Sequence, residues 1–117
     1  MMTQQKANEF AKQWIEAWNS HDLDRIMAQY AEEVEFNSPM IISLGMNDDG
    51  RIMGKTILRQ YFEKGLNAYP ELNFKLHYVF CGIDSLVIKY ESVNGKPAAE
   101  VMQLNATSRA SHVTCHY

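Results

Sequence analysis

Glu100 is the side chain in this sequence best placed to do acid–base chemistry. A carboxylate lined by apolar and aromatic groups loses hydration, so its pKa rises toward the range in which a proton can be taken and returned near neutrality. Tyr30, Tyr61, Tyr78 and Tyr90 could supply hydroxyls to a bound carbonyl or enolate oxygen. Taken singly, each tyrosine is more often a core residue whose hydroxyl is satisfied. Glu100 too has a structural alternative, as the ion-pair partner of Lys89 or a hydrogen-bonded carboxylate.

The register of one hairpin decides between these readings. A two-residue type I′ turn at Asn94-Gly95 sets Lys89 opposite Glu100 and Tyr90 opposite Ala99, leaving the carboxylate at the surface. A three-residue loop or a bulge sets Tyr90 opposite Glu100, Ile88 opposite Met102 and Leu86 opposite Leu104. A slip of one residue exchanges the two faces of a strand. The second register aligns the apolar sets of both strands and is the one expected; it turns Glu100 into the apolar concavity beside Tyr90.

Other chemistries find less support. His112 and His116 resemble a metal-ligand pair, but four residues along a strand span about 13 Å, too far for two imidazoles on one ion. His77 falls on the face opposite Phe74, Leu76 and Tyr78, outside the concavity. His21 reads as an exposed turn residue and Asp22 as a helix N-cap, so His21-Asp22 is not taken as a catalytic dyad. Asp24 could approach the cavity but matches no catalytic motif. Cys81 and Cys115 lack metal-type spacing and read as reduced, half-buried thiols. No glycine-rich phosphate loop, Gly-x-Ser-x-Gly elbow or His-Glu-x-x-His helix occurs, which argues against a nucleotide-dependent enzyme or a serine hydrolase.

These residues need a scaffold, and the pattern of apolar positions predicts one. Leu72, Phe74, Leu76, Tyr78 and Phe80 alternate, as do Leu86, Ile88 and Tyr90, and then Met102, Leu104 and Ala106. A period of two over successive runs means antiparallel strands with one apolar face. Helical patterns lie ahead of them: about Thr3 to Asn19, with Phe10, Ala11, Trp14, Ile15 and Trp18 on one face; a short one after Asp22, with Leu23, Ile26, Met27 and Tyr30; and Lys55 to Asn67, with Ile57, Leu58, Tyr61, Phe62 and Leu66 inward. Val34, Phe36 and Ser38 form a strand that Pro39 ends or places on an edge. Met40 to Met53 reads as a long loop folding over an opening as a partial lid, and Ser108 to Tyr117 as a last strand. The fold class is therefore α+β, with three helices from the N-terminal half packed on a curved, mostly antiparallel sheet that encloses a pocket.

Composition sets outer limits. The chain has 117 residues, 46% apolar, with 11 basic against 14 acidic side chains and neither sign clustered, which fits one soluble domain and argues against nucleic acid. No run approaches the ~20 apolar residues of a membrane span, and the first residues lack a secretory core, so a cytoplasmic location is the default expectation.

The order helix, helix, strand, helix and then a long antiparallel sheet resembles the nuclear transport factor 2-like superfamily, and within it the SnoaL-like branch. The resemblance rests on Trp14-x3-Trp18-Asn19-x2-Asp22, Tyr30, Val34-x-Phe36-x-Ser38-Pro39, Gly54 before Tyr61-Phe62, and Gly95 followed by Glu100. It spans nearly the whole chain, though Asn105-Ala106-Thr107-Ser108 stands where the usual Asp-Gly turn would be. It implies one cone-shaped domain over residues 1–117, homodimers through the sheet's outer face, and no cofactor. Relatives of this kind perform polyketide ring closure, ketosteroid isomerisation, dehydration or epoxide hydrolysis, or no chemistry, the enzymes using a pocket Asp, Glu or His as proton shuttle. Fold alone does not select among these.

The reading that follows is a pocket for a small apolar molecule bearing a carbonyl or hydroxyl, lined by Trp18, Tyr30, Ser38, Tyr61, Tyr78, Tyr90 and Met102, with Glu100 as acid or base. Such a site calls for a cavity of roughly 300 Å³ or more. The alternative is a non-catalytic homodimeric interaction or regulatory module using the outer face of the sheet, with His77, Val79, Val87 and Val101; a cavity plugged by Trp18, Phe36 and Met102 would favour it.

Overall fold

The computed structural model describes residues 1–117. The elements run α1 (Gln4–Ser20), α2 (Leu23–Met27), β1 (Tyr30–Asn37), α3 (Pro39–Ser43), β2 (Arg51–Met53), α4 (Lys55–Ala68), β3 (Lys75–Cys81), β4 (Ser85–Glu91), a short 3₁₀ turn (Val93–Gly95), β5 (Pro97–Leu104) and β6 (Ala110–His116). The six strands form one open mixed sheet in the order β2-β1-β6-β5-β4-β3. All neighbours are antiparallel except β1 and β6, which run parallel.

Local chemistry starts and stops the helices where the sheet needs them. The Thr3 side chain accepts from the Lys6 N–H at the start of α1, and Asp22 accepts from the Arg25 N–H at the start of α2. His21 takes a left-handed conformation (φ 59°) that ends α1. Between them Asn19 and His21 hold the strand opposite. Asn19 exchanges two hydrogen bonds with the Phe74 backbone (2.6 and 2.9 Å), and His21 Nε2 donates to the Leu72 carbonyl at 2.7 Å. His21 is thus a half-buried tie and not merely an exposed turn residue.

The stretch expected to be a loop contains α3 and β2, so the helices number four and not three. Ser38 caps α3 by accepting from the Met40 N–H, and Pro39 stands at its first position, where a missing N–H does no harm. Pro39 therefore does end the strand, but by beginning a helix. Gly50 sits at φ +71° with its α-carbon so close to the Ser38 carbonyl that a Cβ would lie at 3.1 Å, and its carbonyl accepts from the Ser38 N–H. This closure brings Arg51–Met53 onto the edge of β1.

Strand β3 departs from strict alternation. Leu76 pairs with Tyr90 but Tyr78 pairs with Lys89, so one extra residue is inserted at His77 and the inward and outward sides exchange. Tyr78 and Phe80, expected inside, are 61% and 56% exposed, and Val79, expected outside, packs against the core. On α4, Leu58, Tyr61 and Phe62 are buried as expected but Ile57 is exposed.

The β4–β5 hairpin adopts neither register expected. Tyr90 pairs with Ala98, Ile88 with Glu100 and Leu86 with Met102. A five-residue connection, Ser92 to Lys96, replaces the tight turn and is closed by a 2.7 Å bond from the Ser92 N–H to the Lys96 carbonyl. The shift from the favoured register is two residues, which preserves the face. Glu100 accordingly points inward, among the buried aromatic side chains.

Candidate functional site

Helices α1 and α4 lie over the concave face, and the space between them and the sheet is filled mainly by aromatic rings. Trp14 stacks on Phe74 (5.7 Å between ring centres) and meets Tyr90 edge-on at 5.1 Å; Trp18 meets Phe62 edge-on at 4.7 Å. Such contacts fix ring orientation as well as burying area. Where these rings stop short of β5, a cavity of about 50 Å³ remains. Trp18, Tyr61, Phe62, Phe74, Tyr90 and Glu100 are among its walls, and Met40 and Leu44 of α3 reach it from the segment that was expected to form a lid.

The cavity is far smaller than the roughly 300 Å³ expected. The reason is local: Trp18 and Phe36, which line it, also occupy much of the hollow that the bent sheet leaves. Four of its walls, Tyr69, Leu72, Ser92 and Val93, also border an open groove of about 410 Å³ between the end of α4 and the hairpin connection. No lysine or arginine lines either space, and Glu71 and Glu91 line the groove.

Glu100 is 4% exposed, and Tyr90 O–H donates to its Oε1 at 2.9 Å. Its Oε2 is buried with no hydrogen-bond partner. Burial pushes the carboxyl up to about 7, partly opposed by the Tyr90 hydrogen bond and by the nearby thiol of Cys115, its cross-strand neighbour. Burial, with the Glu100 charge adding to it, also raises the Tyr30 and Tyr90 hydroxyls and the Cys115 thiol, so these three stay protonated at neutral pH. Lys89 stands on the outer face over the Tyr78 ring, 5.7 Å from its centre, and does not pair with Glu100.

A second buried polar atom lacks a partner: the indole Nε1 of Trp18. One turn earlier on the same helix, Trp14 Nε1–H donates to the Tyr30 hydroxyl at 2.9 Å. Trp18 and Glu100 both line the cavity, while the two unpartnered atoms themselves are buried within its walls.

The structure brings Trp18, Tyr61, Tyr90 and Glu100 together around the cavity. Tyr30, Ser38 and Met102 are buried but do not border it, Tyr30 being engaged by Trp14. Tyr78 lies on the opposite face because of the His77 bulge. Asp24 stands away from the cavity in an exposed ion pair with Arg59 at 2.7 Å. His112 pairs with Glu35 at 3.3 Å and His77 with Glu91 at 3.8 Å. Sequence reading placed Trp18 as a wall but missed its free N–H. The signal was the pair Trp14-x3-Trp18, two indole donors on one buried stripe with one nearby hydroxyl acceptor to share.

Comparison with known proteins agrees with this architecture. No curated protein sequence matches the chain. The crystal structure of a SnoaL-like protein of unknown function from Burkholderia thailandensis is 36% identical, with a TM-score of 0.93 over 100% of this chain and 98% of that one. The epoxide hydrolase/cyclase-like enzyme SalBIII, described in pyran ring formation in the polyether salinomycin, is 19% identical with a TM-score of 0.77, covering 98% of this chain and 92% of that one. TerC, co-crystallised with polyporic acid, is 11% identical with a TM-score of 0.74, covering 95% and 90%. These last two likenesses concern the fold alone. The SnoaL-like domain family matches residues 11–116. From a helical layer over an open, curved sheet and a match across nearly its whole length, the chain belongs to the SnoaL-like domain family.

Proposed function

We propose that this protein binds a small, uncharged, largely apolar molecule bearing a carbonyl or hydroxyl, and that Glu100 exchanges a proton with it. The observation that carries the reading is the state of Glu100: buried, held by Tyr90 through one oxygen, free at the other, and with a carboxyl near 7. A group so poised serves as base when ionised and as acid once protonated, with no cofactor required for the transfer. The cavity's size admits only the reacting end of a ligand, and the remainder lies in the adjoining groove. The groove's two glutamates and the lack of lysine or arginine along either space favour a ligand without a negative charge. SalBIII, described in pyran ring formation, and TerC, co-crystallised with polyporic acid, share this fold and are consistent with a small organic ligand.

The test is deuterium exchange at the carbon beside the carbonyl of a small cyclic ketone, followed by NMR in heavy water. Exchange should rise as pH passes through about 7, where Glu100 ionises, and Glu100→Gln should slow it by about 10² or more. Equal rates in the two proteins would remove the reading.

One observation favours a second, compatible role for the outer face. Phe80, Val87 and Val101 are successive cross-strand partners, forming an apolar row over three strands that Thr114 continues on the fourth. Such a row suits pairing with a second copy of the chain. Light scattering should give the dimer mass, and Val101→Glu the monomer mass; a monomer at high concentration before mutation would rule this role out.

A further inference from the structure

Ser92 carries the inward face of β4 one step past the end of the strand. Leu86, Ile88 and Tyr90 alternate into the core, and the same period turns Ser92 inward, where it is only 6% exposed. A hydroxyl so placed calls for a partner. The Ser92 backbone N–H has one in the Lys96 carbonyl at 2.7 Å, but the side chain makes no hydrogen bond within the protein. The unpartnered polar atoms sealed from solvent are Trp18 Nε1 and Glu100 Oε2. The Ser92 hydroxyl is not among them, so it stays open to the cavity and the groove, both of which it lines.

Beyond Ser92 the chemistry of the walls changes. The cavity is lined chiefly by aromatic and aliphatic side chains, whereas the groove adds two carboxylates, Glu71 and Glu91, and two amides, Asn73 and Asn94. Carboxylates only accept hydrogen bonds, while amides and a serine hydroxyl both donate and accept. Such a set suits a neutral group with several hydroxyls, which can donate to the glutamates and bond either way with the others. An ammonium would use the carboxylates alone. Glu91 already faces His77 Nε2 at 3.8 Å, and an ion pair in so open a place adds little. Tyr69 and Val93, shared by both spaces, supply apolar surface for the carbon skeleton between the two ends.

We propose that the groove is a second binding subsite, for a neutral polyhydroxylated group such as a sugar ring, carried by the ligand whose apolar head enters the cavity. Ser92 bonds the innermost hydroxyl of this tail, and Asn73 with the two glutamates bonds the outer ones. The proposal rests on the reading that the cavity takes the ligand's reacting end, and it narrows the ligand to an uncharged molecule with one apolar and one hydroxylated part. Cavity and groove together then reach the size of an ordinary small-molecule site, roughly 300 Å³ or more, which the cavity alone does not.

The test compares three ketones with one head: 4-methoxycyclohexanone, the β-glucoside of 4-hydroxycyclohexanone, and 4-(2-aminoethoxy)cyclohexanone. Dissociation constants come from backbone amide shifts of ¹⁵N-labelled protein, so no turnover is needed. The glucoside should bind at least about tenfold tighter than the methoxy compound, and it should move the amides of Asn73 and Ser92. Ser92→Ala combined with Asn73→Ala should cut that preference to less than about twofold. Equal affinity for glucoside and methoxy compound, a preference for the amine, or a glucoside preference that survives both substitutions overturns the subsite. The proton-exchange reading stands in those cases if the ketones still exchange deuterium. A glucoside preference with no exchange supports the subsite and overturns the Glu100 chemistry, and no shift with any of the three overturns both.

Discussion

Trp14 and Trp18 lie one turn apart on α1, face the same sheet and touch each other, yet they occupy regions of opposite character. Around Trp14 every polar atom is answered: its N–H meets Tyr30, and its ring is closed in by Phe74 and Tyr90. Around Trp18 the packing stops short, leaving a cavity and two buried polar atoms unanswered. Fold stability is concentrated in the first region. The second leaves hydrogen-bonding demand unmet, at a cost in stability.

Substitutions should separate the two regions. Trp14→Phe removes packing volume and strands the Tyr30 hydroxyl, and is expected to destabilise the fold by about 3 kcal/mol in urea unfolding. Trp18→Phe deletes a donor that has no partner and should stay within about 1 kcal/mol of the parent. Similar losses at both positions would erase the distinction.

Glu100 sharpens it through pH. Its carboxyl stands at about 7 in the folded chain against an ordinary 4.5, so between those values the folded chain holds more protons than the unfolded one. This group's contribution to stability is therefore most favourable below about pH 4.5, declines as pH rises to about 7, and is level above that. Glu100→Gln removes the decline. The variant should gain up to about 3 kcal/mol over the parent at pH 8 and nothing at pH 4. A gain that does not grow with pH would contradict the burial of this charge.

A smaller effect is expected one bond away. Tyr90→Phe takes from Glu100 a hydrogen bond that lowers its pKa, so the midpoint of the pH–exchange profile should move up by about one unit. The smallest belongs to a pair remote from both regions. Arg59–Asp24 is short, but its partners are 46% and 83% exposed, and Arg59→Ala should change stability by less than about 0.5 kcal/mol.

Much of this architecture was legible in the residues themselves. Helices α1, α2 and α4 follow from apolar stripes and from Asp22 as a cap, and the inward face of Glu100 from aligning apolar sets across the hairpin. What escaped was decided by context. The exact pairing depended on a five-residue connection that Asn94-Gly95 alone does not specify. The His77 bulge depends on β3 having to present Leu76 and then Val79 and Cys81 to the core, which an unbroken alternation hides. Helix α3 and strand β2 are too short to carry a period, and their placement comes from Ser38 and Gly50 meeting across the chain. The small cavity reflects how far two rings reach, and no pattern of residue types encodes that.

The position of β6 has a consequence for how the chain assembles. It is the last strand along the sequence, yet it lies between β1 and β5, joining the edge built from β1 and β2 to the β3–β5 meander. Until β6 inserts, each half exposes an unpaired edge and an apolar face to any neighbouring chain. Contacts between residues so distant in sequence form slowly, so the interval before insertion is when newly made or refolding chains are most prone to stick to one another, and dilute, cool refolding should give the highest recovery.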